Sequence, residues 1–304
     1  MKPHGARRAR ARWLASLCAA LMLPPCVLAQ GGITVSDDRG VAVRFERPPQ
    51  RVVSLLPSLT ETVCELGQCH RLVGVDRDSN YPQAVRHLPR VGGGLDPNIE
   101  AIMALRPEVV LIASSSRAGE RLQALGLKVL ALEPRTHADV RQALLTIGRL
   151  LDVPDAERTW RAIEAGVSAA ARSLPPAARG ARVYFEASAG PYAAGEASFI
   201  GETLARLAAV NIVPREMGPF PRINPEYVVR ADPDVVMVGE RGAGSLGQRP
   251  GWTQLRAVRE GRVCVFGPAQ GDVLVRPGPR MAEAARLMAD CLAASAPALR
   301  ERRP

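Results

Sequence analysis

From Ile33 onward, short β-branched runs alternate with stretches whose apolar residues recur at helical spacing. Ile33-Thr-Val, a polar turn at Asp37–Gly40 and Val41–Phe45 predict an edge hairpin. After Pro48-Pro49, Arg51–Leu56 reads as a strand and Pro57 opens a helix through Leu66. Leu72–Val75 is the next strand. A helix over Asn98–Leu105 leads to a strand at Val109–Ala113, and one near Ala118–Leu125 leads to a strand at Lys128–Leu132. Strands separated by helices of this length predict a parallel sheet covered on both faces. A long helix follows from about Asp155 to Ser173, with Trp160, Ile163, Val167 and Ala170 on one face and Pro175-Pro176 as its stop. The alternation then restarts at Arg182-Val-Tyr-Phe-Glu186.

The second half repeats the first. Residues 98–112, Asn-Ile-Glu-Ala-Ile-Met-Ala-Leu-Arg-Pro-Glu-Val-Val-Leu-Ile, align without a gap on residues 224–238, Asn-Pro-Glu-Tyr-Val-Val-Arg-Ala-Asp-Pro-Asp-Val-Val-Met-Val. Asn, Glu, Pro and the Val-Val pair recur in register. Weaker echoes join Arg51-Val-Val to Arg182-Val-Tyr, and Glu61-Thr-Val to Glu202-Thr-Leu. The expected fold is α/β: two similar α/β lobes, each with a mostly parallel sheet, joined by one long helix. In parallel sheets ligands sit beyond the carboxyl ends of the strands, so two facing lobes leave a cleft between them. The expected division is a leader at 1–29, an N-terminal lobe at 30–152, a linker helix at 153–176 and a C-terminal lobe at 177–304.

Charge adds to this picture mainly through its position. The 304 residues carry a net charge of +10, but Lys2, Arg7, Arg8, Arg10 and Arg12 supply half of it ahead of the first apolar run. The rest is spread thinly, without basic blocks interleaved with aromatics, which argues against nucleic-acid binding. Those cations, the apolar stretch from Trp13 and the small residues ending at Ala29 read as a cleavable secretory signal. Pro24-Pro25 interrupts the run below the ~20 residues a spanning helix needs. Cys26 offers a lipidation site, although Leu23-Pro-Pro is a poor lipobox. The expected location is the periplasm.

Export places Cys64, Cys69, Cys264 and Cys291 in an oxidising compartment, where four cysteines allow three pairings. The favoured arrangement is Cys64–Cys69 across a helix end, with Gly67 supplying the turn, and Cys264 in a strand bonded to Cys291 in the last helix. Free buried thiols are the alternative. No spacing supports zinc, and no cofactor or metal is expected. Gly242-Ala-Gly-Ser-Leu-Gly247 has the form G-x-G-x-x-G, yet Gln248-Arg-Pro250 follows at once and no acid ends the next strand, so it reads as a flexible loop. His70, His87 and His137 stand alone, which suits solvated side chains; His137 follows a strand end, the position a haem-iron or metal ligand would take. There is no nucleophile elbow, His-Glu-x-x-His or P-loop. The chain is therefore read as no enzyme. The rival class is an exported metal-independent enzyme using carboxylates that follow strands: Glu133, Glu186, Glu240 and Asp272.

Several motifs, in order along the chain, carry a resemblance. They are Val53-Ser-Leu-Leu-Pro-Ser-Leu-Thr-Glu61, Leu72-Val-Gly-Val75 with Asn80-Tyr81-Pro82, Asn98-x-Glu100, Pro219-Phe-Pro221 with Asn224-Pro-Glu226, and Arg276-Pro-Gly-Pro-Arg280. Together they resemble the single-helix-linked periplasmic substrate-binding proteins of ABC importers, the cobalamin, iron–siderophore and haem receptors, most nearly the cobalamin branch. The resemblance implies capture of cobalamin or a related corrinoid between the lobes, with ferric siderophore or haem as the alternative cargo, and delivery to permease subunits. A monomer is the expected unit. It implies ligand contacts at Tyr81, Tyr192, Phe220, Asp272 and Arg276, aromatic faces suiting a flat macrocycle. Where the cobalamin receptors carry N-lobe tryptophans, this chain has Gly92-Gly-Gly-Leu95 and Ser114, a roomier and more polar wall on which Ser114 can hydrogen-bond a polar chelate. Glu100 and Glu226 are implied to dock on transporter arginines. Read on residues alone, Asn98 and Asn224 are good N-caps and a first-turn acid favours the helix dipole. Ser58 with Glu61 has capping-box spacing.

Overall fold

The computed structural model describes Met1, residues 32–188, Gly190 and residues 192–300. The expected signal, with Cys26, lies outside the described residues apart from Met1. β1 (Ile33–Ser36) and β2 (Ala42–Phe45) form the hairpin, with Ile33 opposite Phe45. It pairs with neither large sheet, but buried Asp37 accepts the N–H groups of Arg39 and Val41, each at 3.0 Å, and so closes its turn.

The first α/β unit comprises β3 (Val52–Ser54), α1 (Pro57–Glu65), β4 (Leu72–Val75), α2 (Ile99–Ala104), β5 (Val109–Ile112), α3 (Ala118–Ala124) and β6 (Val129–Ala131). Its strands are parallel in the order β4-β3-β5-β6. Every residue of β3, β5 and β6 is buried, which is why these strands are nearly uninterrupted apolar runs. Next comes α4 (His137–Leu150), an element absent from the expectation. Its start is set by Thr136, which accepts the Asp139 N–H while the Asp139 carboxylate accepts that of Thr136. α5 (Ala156–Ser173) runs between the two units and at 1.5 Å per residue is about 27 Å long.

The second unit opens with β7 (Arg182–Ser188), β8 (Tyr192–Ala193), α6 (Phe199–Arg206), β9 (Val210–Asn211), α7 (Pro225–Ala231) and β10 (Val235–Gly239). It continues through α8 (Glu240–Ala243), α9 (Arg256–Arg259), β11 (Val263–Phe266), α10 (Pro268–Val275) and α11 (Met281–Arg300). β9, β7, β10 and β11 are parallel in that order, and β8 pairs antiparallel with the end of β7. The glycine-rich segment is not a flexible loop: it begins with the turn of α8, where Gly242 is buried so closely against Glu186 that a Cβ would lie 2.3 Å from its carboxylate.

The sequence repeat is also a repeat of hydrogen bonds. Asn98 caps α2 by accepting the Ala101 N–H at 2.9 Å, and Asn224 caps α7 by accepting that of Glu226 at 2.9 Å. Each helix ends on a left-handed residue before proline, Arg106 at φ 45° and Asp232 at φ 40°. The acid after each proline ties the central strand to its neighbour. Glu108 accepts the Arg51 N–H at 3.3 Å and donates its own to Arg51 O at 2.7 Å. Asp234 does the same with Arg182, at 2.9 and 2.8 Å.

The outer face of each sheet has its own apolar cluster, around Ile102 and Leu122 in one unit and Trp252 and Tyr184 in the other. The inner faces share a third, which runs from Leu59 and Leu111 through Trp160 and Ile163 to Phe185 and Met237. α11 returns along α5, and Gly166 lets them approach so closely that a Cβ there would sit 2.6 Å from that of Ala282. Disulfides join Cys64 to Cys69, with Gly67 between them at φ +75°, and Cys264 on β11 to Cys291 on α11. The two units therefore share packed core as well as a connecting helix, which opposes wide separation.

Candidate functional site: the carboxyl ends of two matched sheets

The loop after β4 carries Tyr81. Buried Asp76 fixes that loop by accepting the Asp78 N–H at 2.8 Å and the Ser79 hydroxyl, while Thr60 on α1 meets Ser79 at 2.9 Å. Burial raises the Asp76 carboxyl above its ordinary range, with the Ser79 and Asp78 hydrogen bonds opposing. The Tyr81 ring stays 45% exposed. Phe220 follows β9, the strand at the matching place in the second sheet, also precedes a proline, and is 39% exposed. Tyr192, 44% exposed, lies beside it: β8 runs against residues 219–222, with the Ala193 N–H on Pro221 O at 3.0 Å. Phe220 is backed by Phe199, ring centroids 6.2 Å apart. Each sheet thus presents solvent-facing aromatic surface at its carboxyl end, where a ligand is met.

Ser114, after β5, has its hydroxyl on the Glu133 carboxylate at 2.9 Å, and the Ser115 hydroxyl and N–H bind the same group. Burial raises the Glu133 pKa, but these hydrogen bonds outweigh it and hold the carboxyl below its ordinary value. Leu95, in the glycine loop beside them, is 92% exposed, an apolar group left in water on the N-lobe wall. On the opposite unit a cavity of about 320 Å³ lies against Phe185, Gly239, Glu240, Gly267, Gly271 and Asp272.

Asp272 and Arg276 sit in α10 and at its end, and both belong to a seam between the units. Asn80 donates to Asp272 at 2.7 Å; Arg276 pairs with Asp272 and with Glu61, each at 2.9 Å, and donates to Asn80 and Asp78 O. Arg280 binds Glu61 through two bonds, 2.8 and 2.6 Å. Glu61 is therefore not part of a capping box. The N-cap is Leu56, Pro57 takes the first helical position, and the buried Ser58 hydroxyl has no partner among the described residues. Motif order puts Arg276 at the cleft edge but gives no sign that Glu61 and Arg280 complete its ion cluster; two arginines four apart and an acid within α1 are the available signal.

A second seam mirrors the first. Glu202, the repeat counterpart of Glu61, accepts the His137 N–H at 2.7 Å, and the Phe199 N–H reaches Arg135 O at 2.8 Å. The His137 ring is buried against Thr203, 2.9 Å away, and Phe199 O. Burial lowers its pKa, and no group of metal-ligating residues surrounds it among the described residues. The carboxylates of the rival enzyme reading are largely engaged too: Glu186 is clamped by Arg249 at 2.5 and 2.9 Å. Glu100 and Glu226 differ. Both are exposed in helix first turns, and neither forms an ion pair among the described residues.

Two α/β units with one strand order, a connecting helix and aromatic surface at the strand ends define a two-lobe solute receptor. Residues 52–269 match the periplasmic binding protein family, and the chain belongs to it. An uncharacterised ABC transporter substrate-binding lipoprotein of Bacillus subtilis is 26% identical over 92% of this chain and 96% of its own. A cobalamin-binding protein of Halobacterium salinarum is 32% identical over 68% of this chain, which spans 58% of that relative. A vitamin B12-binding protein of Pectobacterium carotovorum is 26% identical over 82% and 90%. Among solved structures, a periplasmic haem-binding protein of Roseiflexus superposes with a TM-score of 0.68 at 26% identity, covering 81% of this chain and 99% of its own. A periplasmic vitamin B12-binding protein of Vibrio cholerae, at 23% identity, shares the fold with a TM-score of 0.67 over 82% and 98%.

Proposed function

We propose that this chain captures cobalamin or a related corrinoid between its lobes and delivers it to the permease subunits of an ABC importer. The observation that carries this reading is the exposed aromatic surface of Tyr81, Tyr192 and Phe220 at the carboxyl ends of two matched sheets. Flat macrocycles offer such rings a large stacking area. The vitamin B12- and cobalamin-binding relatives favour a corrinoid, while the Roseiflexus neighbour makes haem the competing cargo. Ser114 lines the N-lobe wall, and Asp272 and Arg276 form the floor. Family membership implies export; the leader at 1–29 is removed, and lobes at 30–152 and 177–304 flank the linker at 153–176. The protein works as a monomer and leaves its ligand chemically unchanged.

Calorimetric titration with cyanocobalamin, with haem as competitor, tests the pocket. Tyr81→Ala and Phe220→Ala should each weaken binding by about 1–3 kcal/mol, the worth of a buried ring. Melting temperatures should move little, since both rings are already partly in solvent. Unchanged affinity in both variants returns the rings to lobe-edge packing.

A further inference from the structure

Behind the Tyr81 ring lies a cation from the other lobe. The Arg280 guanidinium carbon is 4.3 Å from the ring centroid, and the same guanidinium is fixed by two hydrogen bonds to Glu61, itself buried on α1. Arg280 immediately precedes α11 in the second unit, whereas Tyr81 and Glu61 belong to the first. One face of the ring is thus covered by a group that can stay in place only while the seam is closed, while the residue as a whole keeps 45% of its surface exposed. We infer that Arg280 is a positioning residue: held by Glu61, it sets the Tyr81 ring for stacking and couples ligand capture to the lobe seam. A guanidinium on an aromatic face is favourable, and most so when water is excluded. The Arg280 side chain is only 11% exposed. A ring ordered beforehand loses less freedom when a ligand covers it. The ligand need never touch Arg280 for this to act, which separates its role from those of Tyr81 and Phe220. Separation of the lobes would withdraw the guanidinium and free the ring, so closure and affinity rise together.

The inference rests on Tyr81 being a ligand contact, and two arms keep the two claims apart. The first needs no ligand. The chain has four tyrosines, and with ring-labelled tyrosine their resonances report each ring separately. In Arg280→Met the Tyr81 signals should shift and average toward free tyrosine while Tyr184, Tyr192 and Tyr227 stay in place; Glu61→Gln should move the same signals in the same direction. Unmoved Tyr81 signals in Arg280→Met overturn the proposal. The second arm measures cyanocobalamin affinity. Arg280→Met should weaken it about 3- to 10-fold, Arg280→Lys less, and in a Tyr81→Leu background Arg280→Met should cause no further loss. Equal losses with and without the ring would show that Arg280 acts elsewhere and contradict positioning. Should Arg280→Met fail to fold, Arg280→Lys carries both arms, with a smaller shift of the Tyr81 signals as the expected result. If the native protein binds neither cyanocobalamin nor haem, the cargo reading fails while the spectra still decide the role of Arg280.

Discussion

Replacing Glu61 by alanine should cost about 3–5 kcal/mol of stability, the characteristic loss when one member of a buried ion cluster is removed. Glu61 is 2% exposed and faces two guanidinium groups, Arg276 at 9% and Arg280 at 11% side-chain exposure. Without the carboxylate these cations confront one another in a region that water scarcely reaches. Asp272 and the Asp78 carbonyl still hold Arg276, but Arg280 loses both carboxylate oxygens that accept from it. Glu61→Gln keeps the volume and one acceptor oxygen and should fall between alanine and the native chain. Urea unfolding followed by circular dichroism measures both. A loss under about 1 kcal/mol for Glu61→Ala would show that the seam is solvated and contributes no more than a surface pair.

The second large effect concerns transport. Glu100→Arg and Glu226→Arg should leave ligand affinity within about twofold, because neither residue belongs to the cleft, the seam or an ion pair among the described residues. Uptake should fall steeply. Losing one partner of a charge pair at an interface costs about 2–5 kcal/mol when the other is left buried, and reversal adds repulsion. Asn98 and Asn224 already supply the caps, so a purely local role for the glutamates predicts a change of about 0.3–1 kcal/mol in stability and normal uptake. Transport assays in cells with the cognate importer distinguish the two. Normal uptake with both reversals would mean that the repeated Asn-x-Glu records only the duplicated fold.

How far these features were legible before the structure depends on whether their causes are local. The strands of the first sheet, β7 and β10 in the second and the matched helices α2 and α7 follow from apolar, largely β-branched runs, asparagine caps and prolines, all of which act within a few residues, whereas the two-residue strands β8 and β9 carry no such local signal. The disulfides followed from helix and strand assignments together with the turn at Gly67. Helix α4 has a local signal in Thr136-x-x-Asp139 and in Val140, Leu144 and Ile147 at helical spacing, which the strand–helix alternation alone does not bring out. The role of Glu61 was not readable in that way. Its spacing from Ser58 mimics a local cap, while its partners lie more than 200 residues away, and only the docking of the lobes brings them together. Leu95 is similar: one leucine in a glycine loop says nothing about exposure until the neighbouring strand ends are placed. Motif order singles out Tyr81, Tyr192 and Phe220 as candidate contacts, and their exposure is what the fold adds.

The most direct test of the receptor reading is the protein itself, isolated from its native cells and examined by visible spectroscopy and by mass analysis of whatever it carries. The account predicts a bound corrinoid in an equimolar complex, with the ligand recovered at unchanged mass after incubation. A haem or ferric-siderophore spectrum would keep the receptor and change its cargo. A protein that neither carries nor binds any such chelate, or that returns its ligand chemically altered, would contradict the account.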